Sequence, residues 1–570
     1  MNNFKVVSVR RSLALLGAVL SLSVALPAKP ITGPWPKAFP AKELCSNCGL
    51  CKSSVGVASV TEACAFLGDG MSRAERLEEQ VHGRARRYDA EADDLDECHF
   101  GVHDEIVLAR GFLNNAQWTG VATGVALAWL ESGAVDAVVV AGADDSASGF
   151  GAPQPILCRS VAEVLRGRRV KPSLCPSLEV LDEVSADASI QKLLFCGVGC
   201  AVQALRSMNS ASPEAALGLE PGGLYVLGTH CVDNSPTPEA SQAFVSCLPG
   251  VGEKRAKDVL ACDQRMLPNS PASWPHPHPC PHPRPRPHPC PRPRPHLRPR
   301  LSPITHHRHP HPLPNSSTRG TDEFMADFRV HTRLREPPDA DADAVDGTDE
   351  PPLAESVAKD AYMTLPPSIG IPSIAPSCFA CFDYTNGLAD LVVGYMGAPF
   401  DASTDEMVTA PLMVTVRNPR GQQMLETAVA SGRVEILQRG GHGGRDLPSS
   451  GSRRAITIKT VEADSMVKTI IDPSFAPADR GAPPVIGNLL ASIIAKSLPR
   501  GMEFGRYSID YHYLRNQLYV HDTMGETRAA RHVPRYATAL MSRCRASAIG
   551  PCTLHPAPRA LGSRALHLGP

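Results

Sequence analysis

The stretch Lys192–Met208, KLLFCGVGCAVQALRSM, decides the fold class. Lys192 to Cys196 is a short apolar run with the character of a buried strand. Gly197-Val198-Gly199 is a tight turn, and Ala201 to Met208 spaces its apolar residues as a helix does. A strand that passes through glycines directly into a helix belongs to an α/β protein rather than a β-sandwich. The same grammar recurs on both sides. Trp118 to Leu130 (WTGVATGVALAWL) has helical apolar spacing, Ala134 to Ala141 (AVDAVVVA) is a β-branched strand run, and Leu224 to Leu227 (LYVL) is a short strand stopped by Gly228. The chain reads as α/β with α+β elements.

Bulk composition narrows the function. With 570 residues there is room for several cores, and 57 Lys plus Arg against 58 Asp plus Glu gives no electrostatic reason to bind nucleic acid. The N-terminus has Arg10 and Arg11 before an apolar run from Leu13 to Leu26, and no acidic residue precedes Glu43. This is the pattern of a signal segment followed by a basic spacer. It suits import into an organelle by a bipartite route, with plain secretion as the other reading. The run is too short and too interrupted by serine for a membrane span, and nothing else in the chain approaches one.

Segment boundaries follow the composition. Residues 1–40 are the leader, 41–115 an N-terminal cysteine-bearing region, 116–262 a first α/β domain, 323–545 a second domain, and 546–570 a tail. Between the two domains, 263–322 is a Pro/His/Arg repeat (PHPHPCPHPRPRPHPC) with too few apolar side chains to repay its ordering entropy. Its histidines admit a metal-binding reading; a solvated insertion is the plainer one, and Cys280 and Cys290 within it are set aside as ligands.

Eighteen cysteines carry the chemistry, and their spacing matters more than their number. Cys45, Cys48 and Cys51 recur every third residue, and Cys64 lies thirteen beyond. Three thiolates on one tight loop suit the corners of a cubane iron–sulfur cluster; a zinc site and a disulfide pair are the competing readings. Cys378-Phe-Ala-Cys381 is a lone C-x-x-C, which also fits a redox dithiol. Two further thiolates are needed there for a cluster. Cys200 and Cys231 are the natural candidates because each follows a strand, where ligands gather on an α/β sheet, with Cys196 in reserve. Gly197 and Gly199, between strand and helix, would present backbone N–H groups to a phosphate. Gln117, Trp118, Thr119 and Gly120 open a helix with a donor, a ring, a hydroxyl and a glycine, as a flavin pocket would.

These residues lie in longer motifs. LCSNCGLC, ACAFLGDGMSR, VHGRARR, FGVH, AQWTG, KLLFCGVGCAVQALRS, YVLGTHCVDN, APSCFACFDYTNGLADLVVGYMGAP and VRNPRGQQML resemble the coenzyme F-420-reducing hydrogenase beta-subunit family, in the branch of the 7-hydroxymethyl chlorophyll a reductases and the ferredoxin-dependent divinyl chlorophyllide 8-vinyl reductases. EFMADFRVH, from Glu323, looks like the continuation of sequence broken off near Leu260. The resemblance implies a mixed-sheet flavin-binding core, FAD, two 4Fe–4S clusters, ferredoxin as donor, a chlorophyll-type tetrapyrrole substrate and a plastid location, and it leaves a homo-oligomer open. By motif, Cys45, Cys48, Cys51 and Cys64 match one cluster region and Cys200, Cys231, Cys378 and Cys381 the other. Asn234 is added to the flavin residues. His82, His103 and Asp383 are candidates for the acid that protonates a departing hydroxyl. The implied reaction is reduction of 7-hydroxymethyl chlorophyll a, with 8-vinyl reduction and a non-catalytic metal-binding or electron-carrier protein as alternatives.

Overall fold

In the computed structural model of the chain, β-branched and aliphatic runs become the centre of one eight-stranded mixed sheet. The structure describes residues 41–263 and 329–547, apart from 90–93, 114–115, 117, 143–151, 170, 209–211, 256–258, 336–354, 399–409, 452–459, 461–466 and 469–479. The leader, the tail, the Pro/His/Arg segment and Gln117 lie outside the described residues.

The strands of the large sheet are β1 (Glu105–Gly111), β2 (Ala137–Gly142), β3 (Gln154–Cys158), β4 (Leu193–Gly197) and β5 (Leu224–Thr229), with β9 (Leu391–Gly394), β10 (Leu412–Val416) and β11 (Val434–Arg439) from the second half of the chain. A separate three-stranded sheet joins β6 (Val259–Asp263), β7 (Arg329–Arg335) and β8 (Glu355–Ala361). The helices that position the site are α1 (Ala74–His82), α2 (Val121–Glu131), α3 (Gly199–Arg206), α4 (Pro419–Ala430), α5 (Met502–Met524), α6 (Glu526–His532) and α7 (Arg535–Ser547). The segments read from sequence as strand, turn and helix at 192–208 are β4 and α3.

Strand order in the large sheet is β11-β1-β10-β9-β5-β4-β2-β3. The pairs β9–β5, β5–β4 and β4–β2 are parallel. Because β10 runs antiparallel to both β9 and β1, β1 points the same way as β9. Five strands therefore end on one edge. Four of them stop on Gly111, Gly142, Gly197 and Gly394, and β5 stops at Gly228-Thr229. The carboxyl ends of strands are where α/β sheets take their ligands.

Side-chain alternation divides this sheet into two packed faces. Val107, Val138, Leu194, Leu227, Val393 and Val414 face α2 and α4, burying Val125, Trp129, Met424 and Leu425. Val139, Phe195, Val226 and Val392 face the other way, against α3 and the first cysteine segment, while Ile106, Leu108 and Met413 face α5 and α7. Strands covered on both faces lose the apolar–polar alternation of a half-exposed strand, which is why they read as continuous apolar runs.

Asp390, almost fully buried just before β9, ties the halves together. Its carboxylate accepts from the Val226 N–H at 2.8 Å, the Arg206 guanidinium at 2.9 Å and the Asn418 side-chain amide at 2.9 Å. Replacing Asp390 with alanine strands Arg206 and an N–H of β5 in the core. Breaking a buried ion pair from one side costs about 3 kcal/mol or more, so D390A is expected to lower the urea midpoint of unfolding well below that of the parent chain. An unchanged midpoint would show that the pairing carries no such burden.

Candidate iron–sulfur site

The first cysteine group is shaped by short turns rather than long helices. Cys45 caps the 3₁₀ turn Lys42–Leu44, Cys51 lies within Leu50–Lys52, and Cys64 caps the single helical turn Val60–Ala63. The loop is fixed from below. The Leu178 N–H donates to the Cys48 carbonyl at 2.8 Å, and the Asp182 carboxylate accepts from the Ser53 hydroxyl, the Ser54 N–H and the Val55 N–H at 2.8, 2.9 and 3.1 Å. Those bonds hold the Asp182 carboxyl down to about 2.

The second group is assembled from three places. Cys200 is the second residue of α3, Cys231 lies two residues past β5, and Cys378 and Cys381 flank the end of the short helix Pro376–Phe379. The structure brings all four together: Cys231 interacts electrostatically with Cys378 and Cys200, and Cys381 with Cys200 and Cys378. Cys200 also faces Cys45 and Cys48 and receives a hydrogen bond from Ser46. The two quartets are therefore neighbours that meet at Cys200. Cys196, held in reserve by sequence, instead packs on the other face of the sheet with the cluster of α2 and α4.

Burial lifts the thiols. It pushes Cys45 and Cys200 up to about 11 and raises Cys48, Cys64, Cys231, Cys378 and Cys381. Buried thiolates become stable when a cation binds them, since a coordinating thiol is deprotonated outright. Among the described residues, no three of these sulfurs lie within 4.8 Å of one another. N–H groups point at the sulfurs, from Asn47 to Cys45 at 3.3 Å and from Asp383 to Cys381 at 3.4 Å. Such bonds to sulfur are one of the protein's levers on an iron–sulfur cluster. Thiols gathered in this way are chemically suited to iron–sulfur ligation.

Helix α5 clamps the second quartet. Arg515 makes two 2.7 Å bonds to the Asp233 carboxylate, with both side chains buried, and lies 4.8 Å over the Phe379 ring. Burial opposes ionisation of Asp233, but the Arg515 charge and hydrogen bonds overcome it and hold the carboxyl far below its usual range. Asn516 donates to the Cys378 carbonyl at 2.8 Å, the Cys381 carbonyl at 2.7 Å and the Tyr384 hydroxyl at 2.7 Å. Tyr513 and Tyr536 both donate to the Phe382 carbonyl, at 2.7 and 2.8 Å.

The residues expected around a flavin divide in their roles. Gly197 and Gly199 turn the chain into α3, and the N–H groups there, those of Cys200 and Ala201, serve the Cys200 thiol. A Cβ on Gly199 would meet the Asp383 carbonyl at 2.6 Å, so glycine is what lets the two ligand segments approach. Asn234 bridges the second quartet, donating to Cys231 sulfur at 3.6 Å while its carbonyl accepts from the Ala375 N–H at 2.8 Å. Thr119, with φ of +62°, folds back so that its hydroxyl accepts from the Gly111 N–H at 2.9 Å, and Gly120 then opens α2. Trp118 sits in the same turn.

The three acid candidates are engaged by the protein itself. His82 bonds the Gly387 carbonyl at 2.8 Å and contacts the Asn418 amide at 3.2 Å. His103 bonds the Gly101 carbonyl at 2.7 Å and accepts the Gly443 N–H at 2.8 Å. Burial lowers both to about 3, so each is a neutral ring. Asp383 accepts from the Gly387 N–H at 2.7 Å and the Gln203 amide at 3.2 Å. His103 also stacks on His442 beside Glu97, but both Glu97 oxygens are taken by Arg84.

Sequence reading did not single out Asp233, Arg515 and Asn516. Asp233 lies inside the CVDN motif, and the Arg515-Asn516 pair stands out within the apolar and aromatic helix YHYLRNQLYV, which was the available signal.

The chain matches the family described as coenzyme F420 hydrogenase/dehydrogenase, beta subunit, with its N-terminal model over residues 107–182 and its C-terminal model over 339–439. This is a class of oxidoreductases, and the chain is one of them. It is 37% identical over 505 residues to the chloroplastic 7-hydroxymethyl chlorophyll a reductase of Oryza sativa subsp. japonica, spanning 88% of this chain and 83% of that protein, and it belongs to that reductase's family. An uncharacterized protein of Nostoc sp. is 31% identical over 506 residues, 88% of this chain and 94% of that one. The coenzyme F420 hydrogenase subunit beta of Methanosarcina barkeri is 27% identical over 146 residues, 25% of this chain and 49% of that one.

Two outcomes test this geometry. Arg515→Met leaves a buried unpaired carboxylate beside the second quartet and is expected to lower the iron bound after anaerobic reconstitution to about half that of the parent chain; full iron would remove the clamp's role. The buried neutral histidines set an acid limit: below pH 6.5 the unfolded state protonates them while the folded state does not, until about pH 3. Stability should therefore fall as pH drops from 6.5, by about 1.4 kcal/mol per unit for each such ring. His103→Gln should make that slope shallower in urea titrations at pH 7, 6 and 5; an identical slope would contradict it.

Proposed function

We propose that the chain is a plastid iron–sulfur flavoprotein that takes electrons from ferredoxin and reduces 7-hydroxymethyl chlorophyll a to chlorophyll a. The observation that carries this reading is the pair of thiol quartets meeting at Cys200, beside the edge where five strands end. Cys45, Cys48, Cys51 and Cys64 would hold one 4Fe–4S cluster, and Cys200, Cys231, Cys378 and Cys381 the other. FAD would lie along the strand-end edge, near Thr119, Gly120 and the β4–α3 turn. Support for the substrate is the extended similarity to the rice reductase.

The reaction turns R–CH2OH into R–CH3 and water, consuming two electrons and two protons. When bound, the clusters pass electrons singly and the flavin stores the pair. The chain's own residues supply the rest. The turns at 45–64 shape the first quartet, and the cysteines of both quartets are partly exposed. The Asp233–Arg515 pair and Asn516 brace the second quartet, and the buried Phe382, Tyr384 and Tyr513 pack beside it and limit water there. No helix among the described residues is long and apolar enough to cross a membrane.

The test is product analysis with anaerobically purified protein, reduced ferredoxin and each pigment in turn. Chlorophyll a formed from the hydroxymethyl pigment is the expected result. Turnover of the divinyl pigment alone would overturn this choice in favour of 8-vinyl reduction. Protein without flavin that carries zinc in place of iron would establish a non-catalytic metal-binding role.

A further inference from the structure

His230 is the most poorly satisfied polar side chain near the site. It follows β5 directly, at the middle of the strand-end edge, and is 8% exposed. Neither ring nitrogen has a hydrogen-bond partner among the described residues. Its backbone is well placed, the N–H donating to the Val393 carbonyl at 3.0 Å, so the orphaned ring is not the product of a loose loop. The ring lies directly on β9: a Cβ on Gly394 would come within 2.0 Å of His230 Cγ and Nδ1. A strand-end glycine has thus been left bare to admit this imidazole. A second orphan lies on the same edge. Asn386 donates to the Gly197 carbonyl at 2.8 Å and packs on Gly228, yet its side-chain oxygen is buried without a partner.

A buried donor or acceptor without a partner keeps its full desolvation cost, and here three such atoms lie along one strand-end edge. Consecutive residues divide the work. Cys231 enters the second quartet, while His230 is seated on the glycine-ended edge. A neutral imidazole offers one N–H donor and one lone pair. A flavin ring carries partners of both kinds, with carbonyl and N–H functions alternating along one border.

We propose that His230, with the Asn386 side-chain oxygen on the same strand-end edge, hydrogen-bonds the polar border of the flavin ring and so fixes the flavin against the second quartet. The inference rests on the flavin reading above and adds to it a positioning residue, one bond along the chain from a cluster ligand.

The experiment compares anaerobically reconstituted wild type, His230→Leu and His230→Gln, measuring iron per chain, the FAD dissociation constant by fluorescence of released FAD, and the flavin midpoint potential. Leucine removes both polar atoms, whereas glutamine retains a donor and an acceptor. The expected result is full iron in all three, FAD binding weakened about ten-fold or more in His230→Leu, and binding restored to near the wild-type level in His230→Gln with a shifted potential. If His230→Leu loses iron, His230→Gln decides: a shifted flavin potential with unchanged cluster spectra supports the contact, and an unshifted one overturns it. His230→Leu with full iron that binds FAD as tightly as wild type also overturns it, leaving the ring to ordered water. Wild type that binds no FAD would instead remove the flavin reading itself and this inference with it.

Discussion

The ion pair between Asp233 and Arg515 is the constraint on which the site depends. A carboxylate and a guanidinium are both withdrawn from water, at a desolvation cost that only close bidentate geometry and further hydrogen bonds offset. That geometry ties the Cys231 loop to α5, whose next residue, Asn516, holds the carbonyls of Cys378 and Cys381. Two ligand segments more than a hundred residues apart in sequence are thereby fixed to one helix. The Asp233 carboxylate itself disfavours thiolate at Cys231 and Cys378, and Arg515 offsets this only in part at Cys378.

The sheet explains how such distant residues meet. Strands from before and after the Pro/His/Arg repeat alternate within it, so neither half can complete the large sheet alone. The small sheet shows how the repeat is accommodated. β6 and β7 are antiparallel neighbours, with Asp263 opposite His331, so the chain leaves and returns at nearly the same place. A connection of any length between two paired strands costs little, because closure entropy grows only with the logarithm of loop length. The second quartet therefore does not require the intervening segment to adopt any structure.

Much of this was legible in the sequence where a signal is local. β4, the glycine turn and α3 follow from apolar spacing and breakers within one short stretch, and Cys45, Cys48, Cys51 and Cys64 are grouped by spacing alone. Cys200 and Cys231 could be placed by their position after strands, and the structure brings them to Cys378 and Cys381. Other features were not legible for definite reasons. The strand β1 and its partners β10 and β11 join segments hundreds of residues apart, and antiparallel pairing of that range leaves no periodic trace. Asn234 and the glycines of the β4–α3 turn carry the right chemistry for a cofactor, yet the partners they serve here are sulfur and neighbouring backbone. The neutrality of His82 and His103 arises from burial, which no motif encodes.

The central claim is that two iron–sulfur clusters lie side by side, joined at Cys200, and electron paramagnetic resonance of the dithionite-reduced protein tests it most directly. Neighbouring reduced clusters couple magnetically, so the wild-type spectrum should be broadened and fast-relaxing, and Cys378→Ser should simplify it to one isolated cluster signal. Two independent, sharp signals unaffected by that substitution, or a silent protein that contains zinc, would contradict the account.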